Sequence, residues 1–256
     1  MQIHILVDLS GHTGGTRLSA LSLRPTPVII SFLGYGSTTG ASFVDYFLSD
    51  HKASPPEMSY AHSETFAYLP VTYYPFNTRQ AIDSTPSYED VGIARGQTSF
   101  IFACFNRNLK IKPDVFEVWM KVLKAVPRSV LWLRRFHIRV QENLLRHAER
   151  LGVSNASIIF AGRIPDRSKH LARHRLADLF LDTPRFGGHS TLADVFWAGV
   201  PSLVIPGEGA SSRIGASMAS ALNGSVFIAR DLHDYQQLAI QLASQVESVL
   251  EEGAER

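Results

Sequence analysis

A single cysteine, Cys104, leaves no room for an intrachain disulfide framework and points to a reducing, cytoplasmic setting. It sits in the apolar run Phe100-Ile-Phe-Ala-Cys-Phe105, so a buried structural thiol is expected rather than a nucleophile. No apolar run approaches the roughly 18 residues that a membrane helix needs, and no signal-peptide pattern is present, so no membrane partner is expected. Charge of one sign is also lacking: 25 Lys and Arg stand against 23 Asp and Glu, a net charge of +2. The basic residues are scattered, without a stripe of interleaved aromatics, so no nucleic acid partner is expected. A Gly-x-Ser-x-Gly elbow and a Walker loop are both missing, which removes the hydrolase nucleophile and the P-loop from consideration. No Asp-x-Asp pair offers to hold Mg²⁺ against a diphosphate. There is no internal repeat and no low-complexity tract.

What is present is the composition of a folded chain. Apolar residues make up 45% and charged residues 19% of 256 positions, enough for one large or two ordinary domains. From residue 99 onward the pattern is regular. Strands are predicted at 99–105, 129–133, 157–160, 179–181, 202–205 and 226–229. Helices are predicted at 113–125, 140–151, 167–175, 191–198, 213–222 and 233–250. Pro113 opens the first helix and Gly152 follows the second. Strict alternation of strand and helix implies a parallel sheet covered on both faces, with ligands at the carboxyl ends of the strands. Residues 1–96 are less regular, with strands predicted at 3–7, 28–33 and 43–48 and few helices. Residues 75–97, rich in Pro, Ser, Thr and Gly, read as an exposed linker. The reading is therefore part of a first lobe plus linker over 1–96 and a second, Rossmann-like lobe over 97–256. Because a core strand follows Met1 almost at once, the chain is expected to begin inside a domain and to expose an apolar edge or face of its first sheet.

The densest chemistry lies in Leu181-Asp-Thr-Pro-Arg-Phe-Gly-Gly-His-Ser-Thr-Leu-Ala-Asp194. A buried strand ends there, Gly187 and Gly188 make a turn, and His189, Ser190 and Thr191 open a helix. Unpaired amides and the positive end of a helix dipole make such a terminus a site for a phosphate or diphosphate. Asp194, a turn further on, is placed to accept from vicinal sugar hydroxyls. The plain alternative is an ordinary strand–helix junction with a Ser/Thr cap. Lys110 follows the first strand of the regular region, where an ammonium can hold the charge on a departing phosphate. His170 and His174 stand four residues apart, as metal ligands can, but Arg167, Lys169, Arg173 and Arg175 crowd the same helix and favour an anion. A solvated polar face is the alternative there. Gly34-Tyr-Gly-Ser-Thr-Thr-Gly40 approximates a dinucleotide fingerprint with the wrong spacing, so a turn that lets backbone approach a ligand is preferred to a nicotinamide site.

Several blocks resemble the catalytic region of protein O-linked N-acetylglucosamine transferases, including bacterial and plant SPINDLY-like members. They include Ile3-His-Ile-Leu-Val-Asp-Leu-Ser-Gly-His-Thr-Gly-Gly15, Leu23-Arg-Pro-Thr-Pro27, Phe32-Leu-Gly-Tyr35, Phe105-Asn106 with Lys110-Ile111, Leu181-Asp-Thr-Pro184, Gly188-His-Ser-Thr191 and Trp197-Ala-Gly199. The resemblance implies an α/β fold of GT-B type, two Rossmann-like lobes with the amino-terminal one incomplete. It also implies transfer of N-acetylglucosamine from UDP-GlcNAc to Ser/Thr hydroxyls of proteins, with inversion, without metal and without a resident cofactor. By the resemblance, Lys110 neutralises the departing diphosphate, and His189, Ser190 and Thr191 cradle it. Asp194 holds the ribose, and Pro165, Arg167, His170 and Arg173 line the base pocket. Leu33 and Gly34 lie near the sugar, and His4 and Thr13 face the acceptor.

The chain departs from the animal members, which carry Gln where Arg107 stands and Lys where Arg167 stands; either change bears on nucleotide or sugar choice. By the resemblance, tetratricopeptide repeats that usually precede the region and would supply acceptor contacts are expected to be missing from this sequence. Two alternatives stay open at this point. One is a GDP-fucose-dependent O-fucosyltransferase or a cytosolic N-glucosyltransferase. The other is a truncated, non-catalytic module that binds a nucleotide or a partner.

Overall fold

A computed structural model describes residues 2–77, 79–224 and 227–254. Two parallel sheets organise the chain. The first has four strands in the order β1-β2-β3-β4. They are β1 (Ile5–Asp8), β2 (Val28–Ser31), β3 (Tyr46–Ser49) and β4 (Thr65–Tyr68), with a short helix, α1 (Leu18–Leu21), between β1 and β2. The second sheet comprises β5 (Ile101–Cys104), β6 (Val130–Arg134), β7 (Ile158–Ala161), β8 (Leu179–Leu181) and β9 (Ser202–Leu203). Its order, β7-β6-β5-β8-β9, is doubly wound: the chain moves outward on one side of β5 and then returns to the other side. The crossovers are carried by α2 (Pro113–Ala125), α3 (Ile138–Arg150), α4 (Arg167–His174) and α5 (Ser190–Trp197), and α6 (Ala210–Ala221) and α7 (Leu232–Ala254) follow β9.

The sequence dictates much of this directly. Every residue of β5 and β8 is buried, as near-continuous apolar strands covered on both faces should be. In α2, Pro113 opens the helix where its missing N–H costs nothing, and Val115, Phe116, Trp119, Met120 and Leu123 form its buried stripe. Predicted and observed bounds differ by one to three residues at most helix ends. The strand predicted at 43–48 begins instead at Tyr46, and β4 was not anticipated. The Val226 end of the strand predicted at 226–229 lies outside the described residues; Ile228 bridges Val204 in parallel.

Residues 75–97 are exposed over much of their length, as expected of a linker, but a few side chains anchor them to the core. Ile93 is only 1% exposed, and Phe76, Tyr88 and Val91 pack against the large core. Arg95 lies over the Tyr88 ring at 5.1 Å and donates to Asp178. The Pro, Ser and Gly positions are mostly exposed, and the aromatic and aliphatic residues between them decide where the segment packs.

The two sheets are tied through α6. The buried Asp50 carboxylate, at the end of β3, accepts from the Ser217 hydroxyl at 2.7 Å and the Tyr73 amide at 2.9 Å. Arg213 donates to the Lys52 carbonyl and Ser211 to the Gly36 carbonyl. These bonds hold the loops after β2 and β3 against the second sheet. At the other side of the first sheet, β1 is an edge strand. Ile3, Ile5, Val7 and Leu9 alternate along it and are 46–61% exposed, a row of apolar side chains open to solvent.

Leu131, fully buried at the centre of β6, reports on the second sheet. A Leu131→Ala variant is expected to lower the unfolding free energy by about 2–5 kcal/mol, read as a shifted urea midpoint. A midpoint equal to that of the wild type contradicts the burial described.

Candidate functional site

The reversal of strand order between β5 and β8 opens the crevice in which doubly wound sheets bind ligands. Two loops meet there. The loop after β5 carries Asn106 and Arg107 and tightens into a 3-10 turn, Asn108–Lys110. The loop after β8 runs from Asp182 to Gly188 into α5. His189 precedes that helix with a non-helical backbone and makes no side-chain cap, so no side chain claims the amides of the first turn. The capping alternative is thereby set aside, and the helix begins at Ser190, one residue earlier than predicted.

The Lys110 Nζ donates to the Gly187 carbonyl at 2.6 Å and lies 4.3 Å from the centre of the Phe186 ring. Burial pulls its ammonium below the ordinary lysine range, while the nearby Asp182 opposes that shift. The Phe186 ring stacks on His189 at 5.2 Å. The imidazole of His189 donates from Nε2 to the Ser211 carbonyl at 2.9 Å, and burial lowers its proton affinity. Ser211 also donates to Gly36, so two hydrogen bonds link this helix terminus to the loop that follows β2. Tyr74 completes the rim, with its ring 6.4 Å from that of His189.

On the other side of α5, Pro165, Arg167, His170, Arg173 and Thr191 line a cavity of about 510 Å³ together with Phe105, Arg134, Arg135 and Arg163. The Asp194 carboxylate is held there by both terminal nitrogens of Arg167, Nη1 at 2.7 Å, and has His170 Nε2 at 3.8 Å. Arg167 also donates from Nε to the Gln80 side chain at 2.8 Å. Arg173 donates to the Gly162 carbonyl and stacks on Phe105, and burial lowers its pKa to about 10. Burial, followed by nearby cations, lowers His170 to about 4. Burial, followed by His170, lowers His174 to about 3. Both rings are therefore neutral at pH 7. Among the described residues there is no cluster of three or more His, Cys, Asp or Glu side chains that could hold a metal ion. Cys104 is buried and its thiol is pushed well up, in keeping with a structural role.

The sequence-predicted residues thus fall into three groups. Lys110, His189, Ser190 and Thr191 gather at the helix terminus, with the exposed Arg107 beside Lys110. Pro165, Arg167, His170, Arg173 and Asp194 gather around the cavity. Leu33 and Gly34 lie at the carboxyl end of β2; Leu33 has a φ of 65°, and a side chain at Gly34 would collide with the Leu9 carbonyl. Thr13 lies on the loop after β1. His4, in contrast, precedes β1 and sits at the opposite end of that strand, so the structure does not bring it to Thr13. The block looked continuous in sequence, but an extended strand separates its two ends. Sequence reasoning missed Asn106, Asp182, Phe186, Tyr74 and Gln80 as site residues. Asp182 carried a readable signal, a carboxylate placed directly after an apolar strand. Tyr74 and Gln80 carried none, since only tertiary packing lays their segment over α5.

Comparisons with known proteins bear on the family and the fold. Glycosyl transferase family 41 matches residues 1–85 and 92–252. The chain is 36% identical over 249 residues to the probable UDP-N-acetylglucosamine–peptide N-acetylglucosaminyltransferase SEC of Arabidopsis thaliana, across 94% of this chain and 25% of that protein. It is 30% identical over 254 residues to the probable UDP-N-acetylglucosamine–peptide N-acetylglucosaminyltransferase SPINDLY of Petunia hybrida, across 97% of this chain and 26% of that one. Among solved structures it is similar to a mutant of the Thermobaculum terrenum O-GlcNAc transferase, with a TM-score of 0.83 and 28% identity over 98% of this chain and 48% of the other. That likeness gives the two parallel sheets a GT-B type α/β architecture. The chain spans about a quarter of the length of the curated relatives it matches.

The buried imidazoles set a pH dependence. His170 and His174 titrate in the folded chain at about 4 and about 3, below the ordinary 6.5. Their stabilisation is complete above pH 6.5 and is lost as pH falls toward those values. Asp182, raised to about 6, works in the opposite sense, because its burial costs most when it is ionised. The two imidazoles outweigh the one carboxylate. The urea midpoint is expected to fall between pH 7 and pH 5, with a shallower slope in His174→Gln. Equal slopes in the two proteins contradict the burial of a neutral His174.

Proposed function

The chain belongs to glycosyl transferase family 41, and from that premise we propose that it carries the donor site of a protein O-GlcNAc transferase. The reaction is transfer of N-acetylglucosamine from UDP-GlcNAc to Ser/Thr hydroxyls of protein or peptide acceptors. It proceeds without a resident cofactor, and the cysteine usage supports a cytoplasmic setting. The single observation that carries the reading is the convergence of the Lys110 ammonium and the uncapped α5 terminus on one crevice at the strand reversal.

The diphosphate lies at the α5 terminus, taking the free amides, the Ser190 and Thr191 hydroxyls and the dipole of the helix. Lys110 exchanges the Gly187 carbonyl for a phosphate oxygen and holds the charge that grows as the sugar–phosphate bond breaks. With that charge met by an ammonium and a helix terminus, the departure of the diphosphate needs no metal ion. A single displacement by the acceptor hydroxyl, which enters opposite the departing diphosphate and releases its proton to solvent, inverts the anomeric carbon. The base enters the cavity beside Pro165, His170 and Arg173. Asp194, oriented by Arg167, accepts from the ribose hydroxyls. The exposed guanidiniums of Arg134, Arg135 and Arg163 make this cavity favourable for an anionic nucleotide. Leu33, Gly34 and Thr13 border the sugar and acceptor side.

Calorimetric titration of the purified chain with UDP, GDP and NADH tests this reading. UDP is expected to bind, and Lys110→Ala and Asp194→Ala are each expected to weaken it at least ~10-fold, the scale of one lost charge-assisted hydrogen bond. Preference for GDP redirects the assignment to fucosyl transfer. Binding of NADH alone, or of no nucleotide by a folded chain, overturns it.

A further inference from the structure

We propose that Asp182 is a positioning residue that holds Lys110 and the α5 terminus in register through the single peptide unit between Gly187 and Gly188. Its consequence for ligand binding rests on the donor-site reading above. The amide N–H of that unit, on Gly188, donates to Asp182 Oδ1 at 2.7 Å. The carbonyl of the same unit, on Gly187, accepts from Lys110 Nζ at 2.6 Å. In a trans peptide the N–H and C=O point in opposite directions. A carboxylate and an ammonium therefore grip one amide plane from its two sides. Each charge polarises the amide toward the other, so the two hydrogen bonds reinforce one another.

The surroundings fit such a clamp. Asp182 is 4% exposed, and Asn106 Nδ2 also donates to its Oδ1, at 2.7 Å. Asn106 is itself buried and shares that amide with Thr183 at 2.9 Å. The Asp182 main chain is pinned as well, since its carbonyl accepts from the Tyr235 hydroxyl at 2.9 Å. The glycines admit no substitute: a Cβ on Gly187 would lie 2.6 Å from Asp182 Oδ2, and one on Gly188 would lie 2.9 Å from Asn106 Oδ1. The titratable groups facing Asp182 are Lys110, Cys104 and Tyr235. Burial keeps the thiol and the phenol neutral, so Lys110 supplies the charge that faces it. Fixing this peptide sets the direction of the amides that follow at His189 and Ser190. It also keeps the loop in place when Lys110 releases the Gly187 carbonyl to reach a phosphate.

Two measurements test the clamp. The first needs no ligand. In ¹⁵N-glycine-labelled protein, the Gly188 amide resonance is expected to titrate near pH 6, where burial puts the Asp182 carboxyl, and this inflection vanishes in Asp182→Asn. Loss of the Lys110 charge in Lys110→Ala moves the inflection to higher pH. A Gly188 resonance that is flat between pH 5 and pH 7 in the wild type overturns the proposal, also in the event that Asp182→Asn does not fold. The second is titration with UDP-GlcNAc, whose diphosphate keeps its charge across this range. Asp182→Asn is expected to bind about tenfold more weakly at pH 7, the difference between a charge-assisted and a neutral hydrogen bond. The double variant Asp182→Asn/Lys110→Ala is expected to bind more weakly than Lys110→Ala alone by less than the full Asp182→Asn loss, because part of that loss passes through Lys110. Additive losses overturn the positioning role while leaving the donor site intact. Absence of UDP-GlcNAc binding by a wild type whose Gly188 resonance titrates overturns the donor-site reading instead.

Discussion

The pairing of β5 with β8 is the constraint on which the rest of the site depends. These strands are far apart in sequence, and the chain reaches β8 only after running out through β6 and β7 and back. Their adjacency forces two loops to share one crevice, one bearing Lys110 and the other bearing Asp182 and the glycine turn. Both strands are wholly buried, so the loops leave the sheet at fixed points. An ammonium, a carboxylate and a free helix terminus are thus brought together by core packing.

The electrostatic design follows from burial. Interior charges are tolerated when each has a partner, and the partners here are chosen so that one face stays positive. Asp182 sits behind the glycine turn and Asp194 is held by Arg167, so both carboxylates are accounted for from within. Arg134, Arg135 and Arg163 line the cavity in excess of the acidic groups. Lowered histidine pKa values keep His170, His174 and His189 uncharged near neutrality, so the positive charge is carried by Lys and Arg.

The alternating second lobe was legible because apolar strands and amphipathic helices bounded by Pro and Gly obey local rules. Pro113 and Gly152 mark helix ends by backbone geometry alone, and the stripe of α2 follows from its period. The first sheet was less legible, since β4 is a four-residue Thr-Phe-Ala-Tyr strand without an apolar run. The helix terminus at Ser190 and the basic wall of α4 could be read from residue types next to one another in the chain. The roles of Tyr74 and Gln80 could not, because nothing in their own segment refers to α5.

The sequence by itself determined the strand–helix alternation, the buried state of Cys104, the glycine turn ahead of α5 and the family likeness. Each follows from short-range pattern, where periodicity and backbone sterics act within a few residues. Tertiary structure alone decided that Arg167 clamps Asp194, that Ile93 anchors the segment 75–97 in the core, and that His4 lies away from Thr13. It also decided that Lys110 and Asp182 hold opposite ends of one peptide. The Arg167–Asp194 and Lys110–Gly187 contacts cross 27 and 77 positions of sequence. They are created only when the order of strands in a sheet is chosen, and that order is set by the burial of whole elements against one another.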